Sequence, residues 1–75
     1  MPDIKFKIVE HLGVLSTTKA GWTKEVNLIS WNDGEPKYDV RQWDPDHVKM
    51  GKGVGLTLEE AQALQKLLKE KLPNG

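Results

Sequence analysis

The sequence predicts an α+β fold: a four-stranded antiparallel sheet followed by one C-terminal helix. Three observations carry that expectation. Apolar and polar residues alternate with the period of a strand through much of the first half of the chain. Clusters of Gly, Asp, Asn and Pro separate the alternating stretches at hairpin lengths, which implies antiparallel pairing. After Thr57 the apolar spacing becomes that of a helix face.

The first strand runs from Ile4 to Glu10, with Ile4, Phe6 and Ile8 on one face and Lys5 and Lys7 on the other. Leu12, Val14 and Leu15 continue it past a bend or bulge at Gly13. Ser16 to Gly21 is small and polar, a loop. The second strand spans Trp22 to Trp31. Neither of its parities is purely apolar, so either a bulge switches faces midway or both faces are partly covered. Asn32-Asp33-Gly34-Glu35-Pro36 is a turn in which Asp-Gly favours a tight hairpin.

Lys37 to Trp43 is the third strand. Tyr38 and Val40 face the core, which places Lys37, Asp39, Arg41 and Trp43 on a face open to solvent. Asp44-Pro45-Asp46 ends it, and His47 to Lys52 forms a loop carrying Lys49 and Lys52. Val54 and Leu56 make a short fourth strand. Thr57 reads as a helix N-cap with Glu60 three residues on, a capping box. Glu59 and Glu60 at one end and Lys66, Lys69 and Lys71 toward the other suit the helix dipole. Leu58, Ala61, Leu64, Leu68 and Leu72 form an apolar stripe that Ala63 and Leu67 widen, and Pro73-Asn74-Gly75 stops the helix.

At 75 residues the chain is a single domain, residues 1–75, with a core worth only about 3–5 kcal/mol. The absence of cysteine rules out disulfides and thiolate metal sites. His11 and His47 lie far apart, without metal-ligand spacing, so no metal or other cofactor is expected. Oligomerisation is the remaining staple for so small a fold. Eleven basic and eleven acidic residues give zero net charge, which excludes a polybasic binder but allows a local basic face. No apolar run is long enough for a membrane span, and Met1-Pro2-Asp3 does not open a signal peptide, so a soluble, cytoplasmic protein is expected.

The chemistry concentrates in the third and fourth strands. Cations neutralise phosphates and flat rings stack on unpaired bases, so Lys37, Arg41 and Trp43 on one sheet face suit single-stranded nucleic acid. Lys49 and Lys52 in a glycine-rich turn add charge and backbone N–H groups, and Lys24 adds another cation. Trp22 and Trp31 bracket the second strand; the sequence leaves open which is a core ring and which faces the groove. The plainer alternative is that Trp43 pads a core edge while Arg41 pairs with Asp39 or Asp44. No nucleophile with an adjacent base is present, and no enzymatic activity is expected.

Tyr38-Asp39-Val40-Arg41, followed by Lys52-Gly53-Val54-Gly55-Leu56 leading into a glutamate-rich helix start, resembles the positive cofactor four family of single-stranded-DNA-binding transcriptional coactivators. The likeness is greatest to its short bacterial YdbC-like branch and covers roughly residues 26–68. The resemblance implies a curved sheet, a homodimer paired through the C-terminal helices, and grooves that bind single-stranded DNA (RNA is the open alternative) with little sequence preference, in contact with the transcription machinery or in DNA maintenance. Arg41 matches the family's DNA-contacting arginine and Lys52 the lysine before its glycine; Trp43 falls within one residue of a stacking aromatic. The hairpin departs from the family: Asn32-Asp33-Gly34-Glu35 is acidic where the family is basic and aromatic, so Trp31 and Lys37 would supply the missing ring and charge. The competing reading is a small dimeric protein-interaction module that docks a peptide or polymerase subunit on the open sheet face.

Overall fold

The computed structural model describes residues 5–73; Met1 to Ile4, Asn74 and Gly75 lie outside the described residues. Strands β1 (Phe6–Thr17), β2 (Thr23–Trp31), β3 (Lys37–Trp43) and β4 (Met50–Leu56) precede helix α1 (Leu58–Lys71). The strands form one antiparallel sheet in the order β1-β2-β3-β4. Two strands are longer than the alternation alone suggests. β1 continues to Thr17 because bulges between Ile8 and Glu10, His11 and Gly13, and Val14 and Ser16 restore its pairing with β2. β4 begins at Met50, since pairing with β3 carries Gly51 and Gly53 through, and Lys52 therefore stands on a strand.

The sheet is strongly curled. In the register, Phe6 pairs with Trp31 at one end of β2, and Thr23 pairs with Trp43 at the other. Eight residues of flat strand would separate those ends by roughly 26 Å, yet the Phe6 and Trp43 ring centroids are 5.4 Å apart. Phe6 also meets Trp31 at 5.7 Å. The bulges in β1 and one between Arg41 and Trp43 in β3–β4 supply the bend.

Curling decides which face is the core. Glu25, Asn27 and Ile29 of β2 and Asp39 and Trp43 of β3 share the concave face and are buried. The opposite face, with Val26, Tyr38 and Val40, is only half-buried. This corrects the expectation that Tyr38 and Val40 face the core while the Arg41 side stays open. Alternation defined the two faces correctly, but it carries no information about which way a sheet curls.

The β2–β3 hairpin turns on Asn32 and Asp33, both left-handed (φ 50° and 61°), and the Gly34 N–H donates to the Trp31 carbonyl at 2.8 Å. The two central residues are thus Asn-Asp, one position ahead of the Asp-Gly pair suggested by the sequence. Helix α1 starts as expected: Thr57 caps the Glu60 N–H, and Glu60 accepts from the Thr57 N–H. Those two Thr57 contacts, backbone first, hold the Glu60 carboxyl below its ordinary range, with a smaller contribution from nearby Lys37. The helix has no buried residue, and Leu58, Leu67 and Leu72 are each more than half exposed. Between it and the convex face lies an apolar cleft of about 720 Å³, walled by residues that include Leu12, Val26, Tyr38, Val40, Leu64 and Leu68.

Candidate nucleic-acid interface

Arg41 is the centre of the concave face. Its Nε and Nη2 donate to the two carboxylate oxygens of Asp39 at 2.7 and 2.8 Å. Its Nη1 reaches the Met50 sulfur (3.2 Å) and the Gly51 carbonyl (3.4 Å). Its Cζ lies 4.6 Å from the centroid of the Trp31 ring, a cation–π contact. The Asp39 side chain is fully buried and that of Arg41 16% exposed, so this is an interior ion pair with good bidentate geometry. The pairing anticipated from the plainer reading, Arg41 with Asp39, is present. Most of the guanidinium's N–H edge is engaged within the chain; what it can offer a ligand is its flat surface.

Gly53 makes this packing possible. It stands opposite Arg41 in the register, and a β-carbon there would lie 2.5 Å from the Arg41 Cβ, 2.6 Å from the Val40 carbonyl oxygen and 2.8 Å from the Arg41 Nε. Only the absence of a side chain lets the arginine stem lie across β4.

Trp43 is fully buried, so the expectation of an exposed stacking ring is corrected. Phe6 covers it at a tilt, and His47 stacks on it with centroids 5.6 Å apart and planes at 22°. Its indole N–H has no hydrogen-bond partner among the described residues. Beside it sits a polar network that sequence reasoning missed. Buried Glu25 accepts from the Thr23 hydroxyl, from Asn27 Nδ2 (3.4 Å) and from His47 Nε2 (2.8 Å). His11 Nδ1 lies 2.7 Å from Asn27 Oδ1 and 3.7 Å from the Glu25 carboxylate. Burial alone would raise the Glu25 carboxyl. The hydrogen bonds from Thr23, His47 and Asn27, with the nearby His47 charge, outweigh it and hold the carboxyl below its ordinary 4.5. The only sequence signal was polar Glu25 and Asn27 sharing a parity with Ile29 and Trp31.

The lysines are distributed differently. Lys24 and Lys52, with Gln42, line a recess of about 490 Å³ bordered by Val40, Arg41, Gly53 and Val54. Lys24 pairs with Gln42 in the register, on the parity opposite to Arg41. Lys37 shares the Arg41 parity but lies exposed near the helix start. Lys49 is exposed on the loop between β3 and β4, which Asp44 organises by accepting the Val48 and Lys49 N–H groups at 2.8 and 3.0 Å. Trp22 is half-buried in the β1–β2 connection, its backbone N–H donating to the Thr18 hydroxyl. Of the predicted residues, Trp31, Arg41 and Trp43 lie in the curl, Lys24 and Lys52 line the recess at its rim, and Lys37, Lys49 and Trp22 stand outside both groups.

A curled four-stranded sheet with a trailing amphipathic helix, carrying a cation stacked on an aromatic ring and lysines at its rim, defines a small α+β domain. Residues 18–67 match the family described as Transcriptional Coactivator p15 (PC4), and the chain belongs to that family. An uncharacterized protein of the bacterium Treponema pallidum (strain Nichols) is 48% identical over 66 residues, 88% of this chain and 78% of its own length.

Proposed function

We propose that this protein binds single-stranded nucleic acid, DNA in the first instance, with little sequence preference and in the service of transcription or DNA maintenance. Membership of a transcriptional coactivator family supports the general role. The observation that carries the mechanism is the pairing of a flat Arg41–Trp31 platform with the Lys24–Lys52 recess that Arg41 borders. Guanidinium planes and indoles stack on unpaired bases, and exposed lysines neutralise phosphates. Lys37 and Lys49 extend the cationic rim on either side. Zero net charge fits a local track of this kind.

The test is titration of oligo-dT and a matched duplex across a salt series. The single strand should bind more tightly, and affinity should fall as salt rises. Each phosphate contact contributes about 0.7 to the logarithmic salt slope of a single strand, so the Lys24→Ala/Lys52→Ala variant should lose roughly 1.4. Equal affinity for duplex and single strand, or an unchanged slope in that variant, would refute the assignment.

The working unit in this proposal is a homodimer that closes the apolar cleft. The radius of gyration is 13.7 Å, against about 11 Å for a compact chain of this length. The helix stripe and the convex face present apolar surface toward each other across the cleft without filling it. Sedimentation should give twice 8.5 kDa; a monomer at high concentration would refute dimerisation. The same cleft supports the alternative of a protein-interaction module, for which oligonucleotide binding should be absent and a peptide should compete with self-association.

A further inference from the structure

We propose that the N-terminal end of β1, the segment Lys5-Phe6-Lys7, is a further single-strand contact, in which the Phe6 ring takes a base and Lys5 and Lys7 take the phosphates beside it. The inference rests on the single-strand reading above and adds to it a site on a strand that lies ahead of the matched residues 18–67. Phe6 is the open ring of the concave aromatic cluster. It is 36% exposed, whereas Trp43 is fully buried and Trp31 carries Arg41 at 4.6 Å. Its contacts with Trp31 and Trp43, at 5.7 and 5.4 Å, are inclined by 44° and 48°. Rings inclined at such angles do not lie face on face, so neither neighbour covers Phe6 flat. A nucleobase stacks flat on an aromatic ring, and Phe6 adjoins the Arg41–Trp31 platform proposed for a neighbouring base.

The flanking lysines answer a gap in charge at this end of the sheet. The β2–β3 turn carries Asp33 and Glu35 and no cation. Lys37, which follows it, runs along Gly55 toward the helix start. β1 brings two cations to the turn instead. Lys7 stands opposite Ser30 in the register. The Lys5 backbone is tied to the turn on both sides: its N–H donates to Asn32 Oδ1 at 3.1 Å, and its carbonyl accepts from the Asn32 N–H at 2.7 Å. Residues two apart on a strand project the same way, so both lysines leave one face of a fixed strand end. With Phe6, Ser30 and Asp33 they line a small recess of about 50 Å³. Asp33 is its one carboxylate, and neither lysine is in an ion pair among the described residues. A ring on the concave side with cations on the outer side repeats the division between the Arg41–Trp31 platform and the Lys24–Lys52 recess.

Phe6 is the chain's single phenylalanine, so its ring resonances can be followed by NMR in the unmodified protein. Titrating oligo-dT should move them upfield, as a base stacked on the ring requires. Lys5→Ala/Lys7→Ala should lose about 1.4 of the logarithmic salt slope, the share of two single-strand phosphate contacts. Phe6→Leu, which keeps an apolar side chain at the strand end, should bind oligo-dT at least roughly fivefold more weakly at every salt concentration with its slope unchanged, fivefold being the lower end for a lost base–ring contact. The lysine variant alters only exposed side chains, so it and the NMR titration decide the matter even where Phe6→Leu fails to fold. Phe6 resonances unmoved at saturating oligo-dT, or a lysine variant that keeps the parent's salt slope, overturns the proposal. Absence of oligo-dT binding by the parent overturns the single-strand reading itself. Parent binding that depends on Lys24 and Lys52 but not on Lys5, Lys7 or Phe6 leaves that reading standing and removes this site.

Discussion

Gly53 and Gly55 lie two residues apart on β4, and their surroundings predict opposite responses to the same substitution. An alanine β-carbon at Gly53 would lie 2.5 Å from the Arg41 Cβ and 2.6 Å from the Val40 carbonyl oxygen, where carbon contacts are favourable only near 3.5–4.0 Å. The carbonyl belongs to a paired strand, and the arginine stem is tied down by Asp39, Met50 and Gly51. Neither can yield without breaking bonds, so Gly53→Ala should cost about 1–3 kcal/mol, the usual range for overpacking. At Gly55 the nearest atoms are the Lys37 Cβ and Cδ at 3.9 Å, an ordinary contact, and its φ is not in the left-handed region. Gly55→Ala should be neutral or should stabilise by up to about 1 kcal/mol through a less flexible unfolded chain. With a urea slope of about 1 kcal/mol per molar for so small a domain, the two midpoints should differ by at least roughly 1 M. Both must be measured at one protein concentration, since self-association would shift them together. Midpoints that agree within about 0.3 M, well inside that separation, would refute the account of Arg41 packing across β4.

Two further predictions concern the buried charges. Asp39→Ala leaves the Arg41 guanidinium mostly buried and without its counter-charge, so it should destabilise by about 3–5 kcal/mol; Asp39→Asn should cost less, and equal urea midpoints for Asp39→Ala and the parent would contradict the interior ion pair. Glu25 governs the acid limb of stability. Its folded carboxyl is held below the ordinary 4.5, so its contribution is fully present above that pH and is lost as pH falls through the lower folded value. Glu25→Gln should flatten the decline of the thermal midpoint below pH 4.5, and an unchanged acid limb would show that the network does not stabilise the fold.

Much of the architecture was legible in local pattern. β3 runs from Lys37 to Trp43 as alternation predicted, and the Thr57–Glu60 capping box places the helix start to the residue. These are short-range signals, set by backbone period and by hydrogen bonds that span three residues. What the pattern could not carry is long-range. The curl that brings Phe6 onto Trp43 comes from the three bulges of β1 and the one of the β3–β4 pair; glycines, Gly13 and Gly51, fall at only two of these four sites. Without the curl, the concave face looked open and Trp43 looked like an exposed ring. The Glu25 network was invisible for the same reason: His11 and His47 are 36 positions apart in sequence and meet only through a β2 carboxylate. Lys24, Lys37, Lys49 and Lys52 are all exposed, as their solubility in water leads one to expect, and their division between faces follows from register alone.

The curl also gives the zero net charge a physical meaning. Arg41 is spent on Asp39, and Glu25 adds a buried carboxylate, so the interior of the concave face holds no unpaired cation and affinity for a polyanion must come from the rim. Under the proposed function, the exposed lysines set the salt dependence, because counterion release counts the phosphates neutralised and does not read base faces. Preference for single strands must then come from the rings and the guanidinium plane, which bind only bases whose faces are free. The two contributions reside on different side chains, so lysine substitutions should change the salt slope while leaving the single-strand to duplex ratio nearly constant. Trp31→Ala, which removes the ring beneath Arg41, should do the reverse. A Trp31→Ala variant that lost salt slope but kept its single-strand preference would mean that the platform contacts phosphates, and the division of labour argued here would be wrong.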